Sequence, residues 1–428
     1  MSKLSRGVTL SPEQSAIYDQ IEGTSQHIFV TGRAGTGKST LLTHFMSKTS
    51  KRVAVVAPTG VAALLVGGQT IHSFFRLPIG IIADHALFQP EELRAVLRSL
   101  DTLVIDEVSM VNADVMDAIN RSLKRAKRSS LPFGGVQLLM FGDPYQLAPV
   151  PPRGSSEKAW FDDNYSSQWF FDAKVWEEVE LLCYELREIH RQSDDAFKAL
   201  LNAVRHGHVT ASQANVLNTA GAREVPEPSP IVLASTNAIV EKINRRELEL
   251  LPGDPVLAVA DIEGKFDEKH APADVELKLK VGAQVMFLRN DPDQRWVNGT
   301  LGIVTAIAGN VYVEVDGEEH EVTATSWERM EYNYEPSTKE LSREVVGEFV
   351  QFPLRLAWAV TIHKSQGQSY DSAVIDLGHG AFSPGQSYVA LSRIRSLEGL
   401  YLSRPLRPSD VIVDARVAEF MESALGRA

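Results

Sequence analysis

Residues 29–40 read FVTGRAGTGKST. The apolar run from Gln26 to Thr31 has strand character and stops at Gly32. After four intervening residues come Gly37, Lys38 and Ser39, followed by the helical run TLLTHFMSK. A glycine-bounded loop between a strand and a helix turns backbone N–H groups inward onto phosphates, and the helix N-terminus adds partial positive charge. Gly35, Thr36, Gly37 and Thr40 complete the cradle. Lys38 is placed to reach the β- and γ-phosphates, and Ser39 to ligate Mg²⁺. A chance glycine-rich turn leaves the strand and helix on its two flanks unexplained. The stretch therefore predicts an α/β fold, a doubly wound parallel sheet with its ligand at the carboxyl ends of the strands.

The segment TLVIDEVSM, residues 102–110, supplies the second half of a nucleotide site. Its buried strand delivers Asp106 and Glu107 at the same end of the sheet. Asp106 can hold Mg²⁺ through water, and Glu107 can orient and deprotonate an attacking water. Two acids after a strand can also merely cap the next helix. Following a phosphate loop, they favour ATP hydrolysis.

Bulk properties narrow the class. The 428 residues suffice for about three domains. Composition is that of a globular chain, 44% apolar and 23% charged. No apolar run approaches the roughly 18 residues that span a bilayer, and the N-terminal MSKLSRG is a poor signal peptide. Cys183 is the sole cysteine, which excludes an intrachain disulfide and a zinc–cysteine cluster and fits a reducing cytoplasm. The net charge of −12 lowers the expectation of nucleic acid only slightly. A motor needs a local groove and must release its track.

Further strings discriminate among phosphate-loop proteins. LLMFGDPYQLAPV, 138–150, ends a strand and offers Gln146 as a sensor of the γ-phosphate. Arg191 in LREIHRQ and Arg393 in YVALSRIRS are candidate arginines aimed at that phosphate, a role worth roughly 10³ to 10⁵ in rate. Each alone is more often a surface ion pair. Together they suggest a cleft closed by a second domain.

The set resembles superfamily 1 helicases, and within them the PIF (petite integration frequency) helicases of the 5′-to-3′ branch, superfamily 1B, bacterial type. The resemblance rests on GRAGTGKST at 32–40, APTGVAA at 57–63, GGQTIHSFF at 67–75 and VIDEVSM at 104–110. It continues through PFGGVQLLMFGDPYQLAPV at 132–150, LREIHRQ at 186–192, WAVTIHKSQGQSYD at 358–371 and GQSYVALSRIRSLEGLYL at 385–402. It implies that Lys38, Ser39, Asp106, Glu107, Gln146, Arg191 and Arg393 occupy ATP-site positions, that Gly367 lies near the same site, and that Gln14 reads the adenine edge. An amide can pair with two adenine atoms at once. Ser11 and Gln14 also have the spacing of a capping box.

The same resemblance assigns single-stranded DNA to Pro58, Thr59, Gly60, His72, Ser73 and Phe74 in the first half, and to Thr236, Asn237, His363, Lys364 and Ser365 in the second. Phe74 or Phe75 is a candidate base-stacking ring, with core packing expected for one of the two. A strand-splitting wedge is sought between Arg76 and Pro90. The basic run RSLKRAKR, 121–128, is a solvated helix face or a contact for DNA or a partner.

These readings give two RecA-like motor domains, 1–75 with 101–172 and 173–290 with 351–428. A small wedge insertion fills 76–100. A β-barrel like the Src-homology-three fold is expected at 291–350, where Val311, Val313 and Val315 alternate before Asp316-Gly317. ATP would sit between the motors. The chain starts just before Gln14 and ends soon after the last motif, which favours a bare core. The expected activity is ATP- and Mg²⁺-dependent unwinding of 5′-tailed duplex in replication, repair, recombination or telomere maintenance, by a monomer able to dimerise on DNA, with G-quadruplex DNA as a further substrate and the bacterial nucleoid as its place. The rival is a nucleotide-gated clamp on single strands without unwinding. Polarity follows from the resemblance alone.

Overall fold

The structure is a computed structural model and describes residues 10–426, apart from 79, 83–86, 151–153, 189–193, 267, 269–270 and 336–339. Of residues 61, 154, 156, 330–335 and 340–343 it describes the backbone only. Helix α1 (Pro12–Gly23) starts at Ser11, whose hydroxyl accepts from Gln14 N while the Gln14 side chain accepts from Ser11 N. The capping box is thus formed. β1 (His27–Gly32), α2 (Lys38–Lys48), β2 (Val53–Ala57), α3 (Gly60–Leu65), β3 (Gln69–Thr70) and α4 (Ile71–Phe75) follow. Then come α5 (Glu91–Ser99), β4 (Thr102–Ile105), α6 (Ala113–Lys127), β5 (Gln137–Phe141), α7 (Gly154–Asn164) and β6 (Leu181–Leu186).

These strands form one parallel sheet in the order β3-β2-β4-β5-β1-β6. β1, β2, β4 and β5 are buried along their whole length, as parallel strands covered on both faces must be. β6 adds the outer strand beside β1, so the first motor reaches past the expected boundary at 173.

The second motor begins with α8 (Asp195–Arg205) and α9 (Ala211–Gly221), then β7 (Val232–Ala234) and α10 (Asn237–Leu250). The antiparallel insertion starts earlier than expected. It runs through β8 (Val256–Val259), β9 (Asp261–Gly264), β10 (Glu276–Leu279), β11 (Gln284–Phe287), β12 (Leu301–Ala308), β13 (Asn310–Val315), β14 (Glu318–Val322), β15 (Thr325–Glu335), β16 (Glu340–Gln351) and β17 (Leu354–Leu356). Register explains the difference. β11, placed in the motor by the sequence reading, pairs with β12 on one side and β17 on the other. The five-strand order is β14-β13-β12-β11-β17, with β15-β16-β9 and β10-β8 beside it. Val311, Val313 and Val315 point inward, and the Asp316-Gly317 turn has positive φ at both residues, as predicted.

The chain then completes a second parallel sheet with β18 (Ala359–Thr361), β19 (Ala373–Asp376), α11 (Gln386–Leu391) and β20 (Leu400–Leu402), in the order β18-β7-β19-β20. α12 (Ala415–Leu425) crosses back to the first motor. Phe420 stacks on Phe171 at 4.2 Å, and Asp414 accepts from the Trp169 indole at 2.8 Å. The C-terminal helix thus belongs to both lobes.

The expected wedge segment is partly core. Leu77, Ile82 and Leu87 are buried, whereas Phe88 is 67% exposed. Three of the five basic residues of the run on α6 hold this segment. Arg121 donates to Ile82 O, Arg125 to Leu87 O, and Lys127 to the carbonyls of Arg98 and Leu100.

Candidate nucleotide and nucleic-acid site

Parallel pairing brings the nucleotide strings together at one end of the first sheet. β4, β5 and β1 are neighbours, so Asp106-Glu107, Asp143 and the loop after Gly32 emerge side by side. Gly35 and Gly37 have φ of 81° and 85°, values open to glycine at little strain. Gly37 caps α2 without a side chain, leaving the first-turn N–H groups facing the loop. Thr36 is buried and donates to Arg33 O. Ser39 is exposed and Thr40 half-buried on the first turn of α2. Gln14 donates through Nε2 to Gly37 O at 3.3 Å, which ties α1 to the loop.

Lys38 Nζ folds onto the carbonyls of Gly32 and Arg33 at 2.7 and 3.2 Å. Burial pushes its ammonium down, against the pull of Asp143 and Glu107. Burial, then the Glu107 charge, pushes Asp106 up to about 7. Glu107 is raised by burial, with Lys38 and Arg393 pulling the other way. Carboxylates this poorly hydrated favour a further positive charge beside them. The open helix end, the lysine, the exposed Ser39 hydroxyl and the Asp106 carboxyl fit a triphosphate with a hard divalent ion, which takes few protein carboxylates when phosphates complete its shell. Asp143 is fully buried and accepts from Gln146 Nε2 at 3.3 Å and from Arg205 Nη2 at 3.0 Å.

The second lobe closes on this site. The hydroxyl oxygen of Tyr388 on α11 accepts a hydrogen bond from Ala34 N at 3.3 Å. Arg393 is 1% exposed and braced by Val389 O and Ser392 Oγ at 3.0 and 2.8 Å. Its charge reaches Glu107. Gly367 adopts φ 79° in the loop before Gln368, whose carbonyl accepts from Arg393 Nη1 at 3.4 Å. Arg191 lies outside the described residues.

The candidate DNA residues show a repeated arrangement. In the first sheet Ala57 pairs with Thr70, and Thr59 and His72 each lie two residues beyond. In the second, Ala234 pairs with Thr361, and Thr236 and His363 each lie two residues beyond. Both lobes thus present a threonine and a histidine from neighbouring strand ends. Pro58, Gly60 and Ser73 are half-buried, and Asn237, His363 and Lys364 are exposed. Thr59 and Thr236 also cap α3 and α10 through their hydroxyls. Two expectations change. Phe74 is 4% exposed and meets Phe75 edge-on at 4.9 Å, so both rings are core and neither presents a stacking face. Ser365 is fully buried and donates to Ile362 O at 2.8 Å, so its hydroxyl shapes the loop from inside.

Sequence reasoning passed over Asp143 as a charge, Tyr388, Gly385 and Arg205. For Arg205 a signal existed. Phe197, Leu200, Leu201, Val204 and Arg205 follow the spacing of one helix face, which sets a guanidinium on an apolar stripe.

Comparison with known proteins agrees with this geometry. Residues 9–215 match the family model for PIF1-like helicase, and residues 269–307 that for the DNA helicase Pif1 2B domain. The chain is 36% identical to the ATP-dependent DNA helicase Pif1 of Bdellovibrio bacteriovorus, over 98% of this chain and 93% of that one. Pif1 from Bacteroides in complex with ADP-AlF4 superposes with a TM-score of 0.91 at 36% identity, covering 98% of both chains. Bacteroides Pif1 bound to single-stranded DNA, at the same identity and coverage, gives 0.72.

Proposed function

The chain belongs to the PIF1-like helicase family, and from that premise we propose that it is an ATP-dependent DNA helicase moving 5′ to 3′ along single strands and opening 5′-tailed duplex. One observation carries the reading. Arg393 and Tyr388 of the second lobe meet the phosphate loop and Glu107 of the first, while both lobes offer matched strand ends to a polynucleotide.

Bound ATP with Mg²⁺ supplies the γ-phosphate whose transfer to water releases the energy. Lys38, Ser39 and the loop N–H groups would hold the triphosphate, and Asp106 together with Ser39 would hold the ion. Glu107 takes the proton of the attacking water. Gln146 senses the γ-phosphate, and Arg393 offsets its developing charge. Gln14 serves the adenine edge. Arg191 adds a second guanidinium.

Pro58, Thr59, Gly60, His72 and Ser73 grip the strand in one lobe, and Thr236, Asn237, His363 and Lys364 in the other. Phosphate contacts of this kind make affinity fall steeply with salt. Exposed Phe88 is the candidate wedge residue, since opening a base pair costs about 1.4 kcal/mol and one stacked base returns a similar amount. The lower likeness to the DNA-bound Bacteroides protein supports a rearrangement of the lobes or the insertion when DNA enters. Forked DNA and G-quadruplexes are further substrates to test. The proposed state is a monomer able to dimerise on DNA, with the bacterial nucleoid as its place. No helix among the described residues is long and apolar enough to cross a membrane.

The test is ATP turnover with and without single-stranded DNA, then displacement on 5′-tailed against 3′-tailed duplex. Displacement from 5′ tails alone is expected. Displacement from 3′ tails alone would reverse the polarity. DNA binding and turnover without displacement would leave a nucleotide-gated clamp.

A further inference from the structure

Two arginines are among the largest fully buried side chains of the molecule. Arg393 belongs to the site above. Arg205 stands at the last position of α8, and no motif assigns it a role. α8 packs against α11 of the second lobe, yet the guanidinium reaches the first. Nη2 lies 3.0 Å from Asp143 Oδ1, and Nη1 lies 3.6 Å from Glu185 Oε1 on β6. The guanidinium carbon sits 4.4 Å from the centre of the Tyr145 ring.

Asp143 is the hub of this cluster. One of its oxygens meets Arg205 and Tyr145 N, and the other accepts from Gln146 Nε2. A carboxylate with no exposed surface needs a charge partner to stay ionised. Without Arg205, Lys38 is the other described cation whose charge acts on Asp143, and it already feels the Asp143 charge. Asp143 would then compete with the nucleotide for Lys38 and leave the Gln146 amide without a fixed acceptor.

We propose that Arg205 is a positioning residue for ATP hydrolysis. It crosses the lobe boundary to hold Asp143, and through Asp143 it fixes Gln146 toward the γ-phosphate and leaves Lys38 free for the triphosphate. Closure of the second lobe is thereby passed to the sensor by a direct ion pair, separately from Arg393. This role rests on the hydrolysis reading above. The geometry suits arginine: one planar group meets Asp143, Glu185 and the face of Tyr145 together, which a lysine ammonium cannot do.

Removing a buried ion-pair partner can simply unfold a protein, so the test uses two designs. In Arg205→Lys, the charge stays and the fork is lost. In Arg205→Met with Asp143→Asn, the fully buried Asp143 charge is removed together with its partner. Wild type and both variants are compared by thermal melting, by binding of a fluorescent oligo(dT) without nucleotide, and by kcat and KM for ATP with saturating oligo(dT). For Arg205→Lys we expect a cooperative melt, oligo(dT) affinity within about twofold of wild type, KM little changed and kcat down about tenfold to a hundredfold, the scale of a small misplacement in an active site. The double variant is expected to melt near wild type with kcat still low. Recovery of kcat in step with stability would show a purely structural pair and overturn the proposal, as would wild-type kcat in Arg205→Lys. Absence of ATP turnover in the wild-type arm would instead strike the hydrolysis reading itself.

Discussion

The α-carbon of Gly385 lies so close to the Gln146 carbonyl that a β-carbon there would stand 1.8 Å from its oxygen. Gly385 caps α11 in the second lobe with φ 76°, and Gln146 follows β5 in the first. The lobes therefore meet backbone to backbone at the sensor loop. Gly385→Ala must both adopt a left-handed conformation, at roughly 1–2 kcal/mol, and push the loop aside. A shift of this kind is expected to lower DNA-stimulated ATP turnover by about a hundredfold. Steady-state kinetics decide it. Turnover at the wild-type rate would mean that lobe contact at Gln146 is dispensable.

Glu107 is raised by burial and faces Lys38 and Arg393, the setting of a base that must accept a proton from water. Glu107→Gln keeps the shape and removes the basicity, so single-turnover hydrolysis should slow by roughly 10² to 10⁴. Single-strand binding should persist. Lys38→Ala should likewise end unwinding. Wild-type displacement by either variant contradicts the assignment of the site.

Asp106 gives a pH signature. Its carboxyl is pushed up to about 7 from the ordinary 3.8, first by burial and then by the Glu107 charge. Across that interval the folded chain binds a proton that the unfolded chain has released. The contribution of this group to stability is therefore full in acid and fades as pH rises through about 7. Free of nucleotide, the protein should melt lower at pH 8 than at pH 6, and Asp106→Asn should flatten that slope. Equal slopes for variant and wild type would remove Asp106 as its origin.

Lys127 separates two uses of the basic helix face. Its ammonium donates to Arg98 O and Leu100 O at 2.7 and 2.6 Å, closing the end of α5. Lys127→Ala should lose about 1.5–3 kcal/mol of stability, the range for hydrogen bonds to a charged group, while the salt dependence of single-strand binding stays as it was. A shallower salt slope would indicate a phosphate contact instead.

Arg329 on β15 spans the insertion and the first lobe, donating to Lys265 O at 2.9 Å and to Ser73 Oγ at 3.2 Å. A strand held at Ser73 has to displace that contact. Arg329→Ala should therefore tighten oligonucleotide binding by about twofold to tenfold, the equivalent of one ordinary hydrogen bond. Anisotropy titrations at fixed salt measure it. Weaker binding would make Arg329 itself a DNA contact.

The parts legible in the sequence are those whose physics is local. Gly35 and Gly37 permit a loop that few other residues would, and the strand before and helix after it are read directly from apolar runs. Asp316-Gly317 likewise declares a hairpin from its own backbone needs. Strand β6 and the start of the insertion were misplaced because membership in a sheet depends on partners. Leu181–Leu186 belongs to the first motor only because β1 lies beside it, and β11 to the insertion only because β12 and β17 flank it.

What the residues determined by themselves is a phosphate loop, an acidic pair at a strand end and strings shared with one helicase family. Tertiary structure alone decided which groups face each other across the cleft. Phe74 and Ser365 turned inward because burial repaid more than exposure, and Arg205 acquired meaning from an aspartate 62 residues away. An ionised side chain on an apolar stripe is unreadable until its counter-charge is found, because only the fold brings the two within the few ångströms over which a desolvated pair is held.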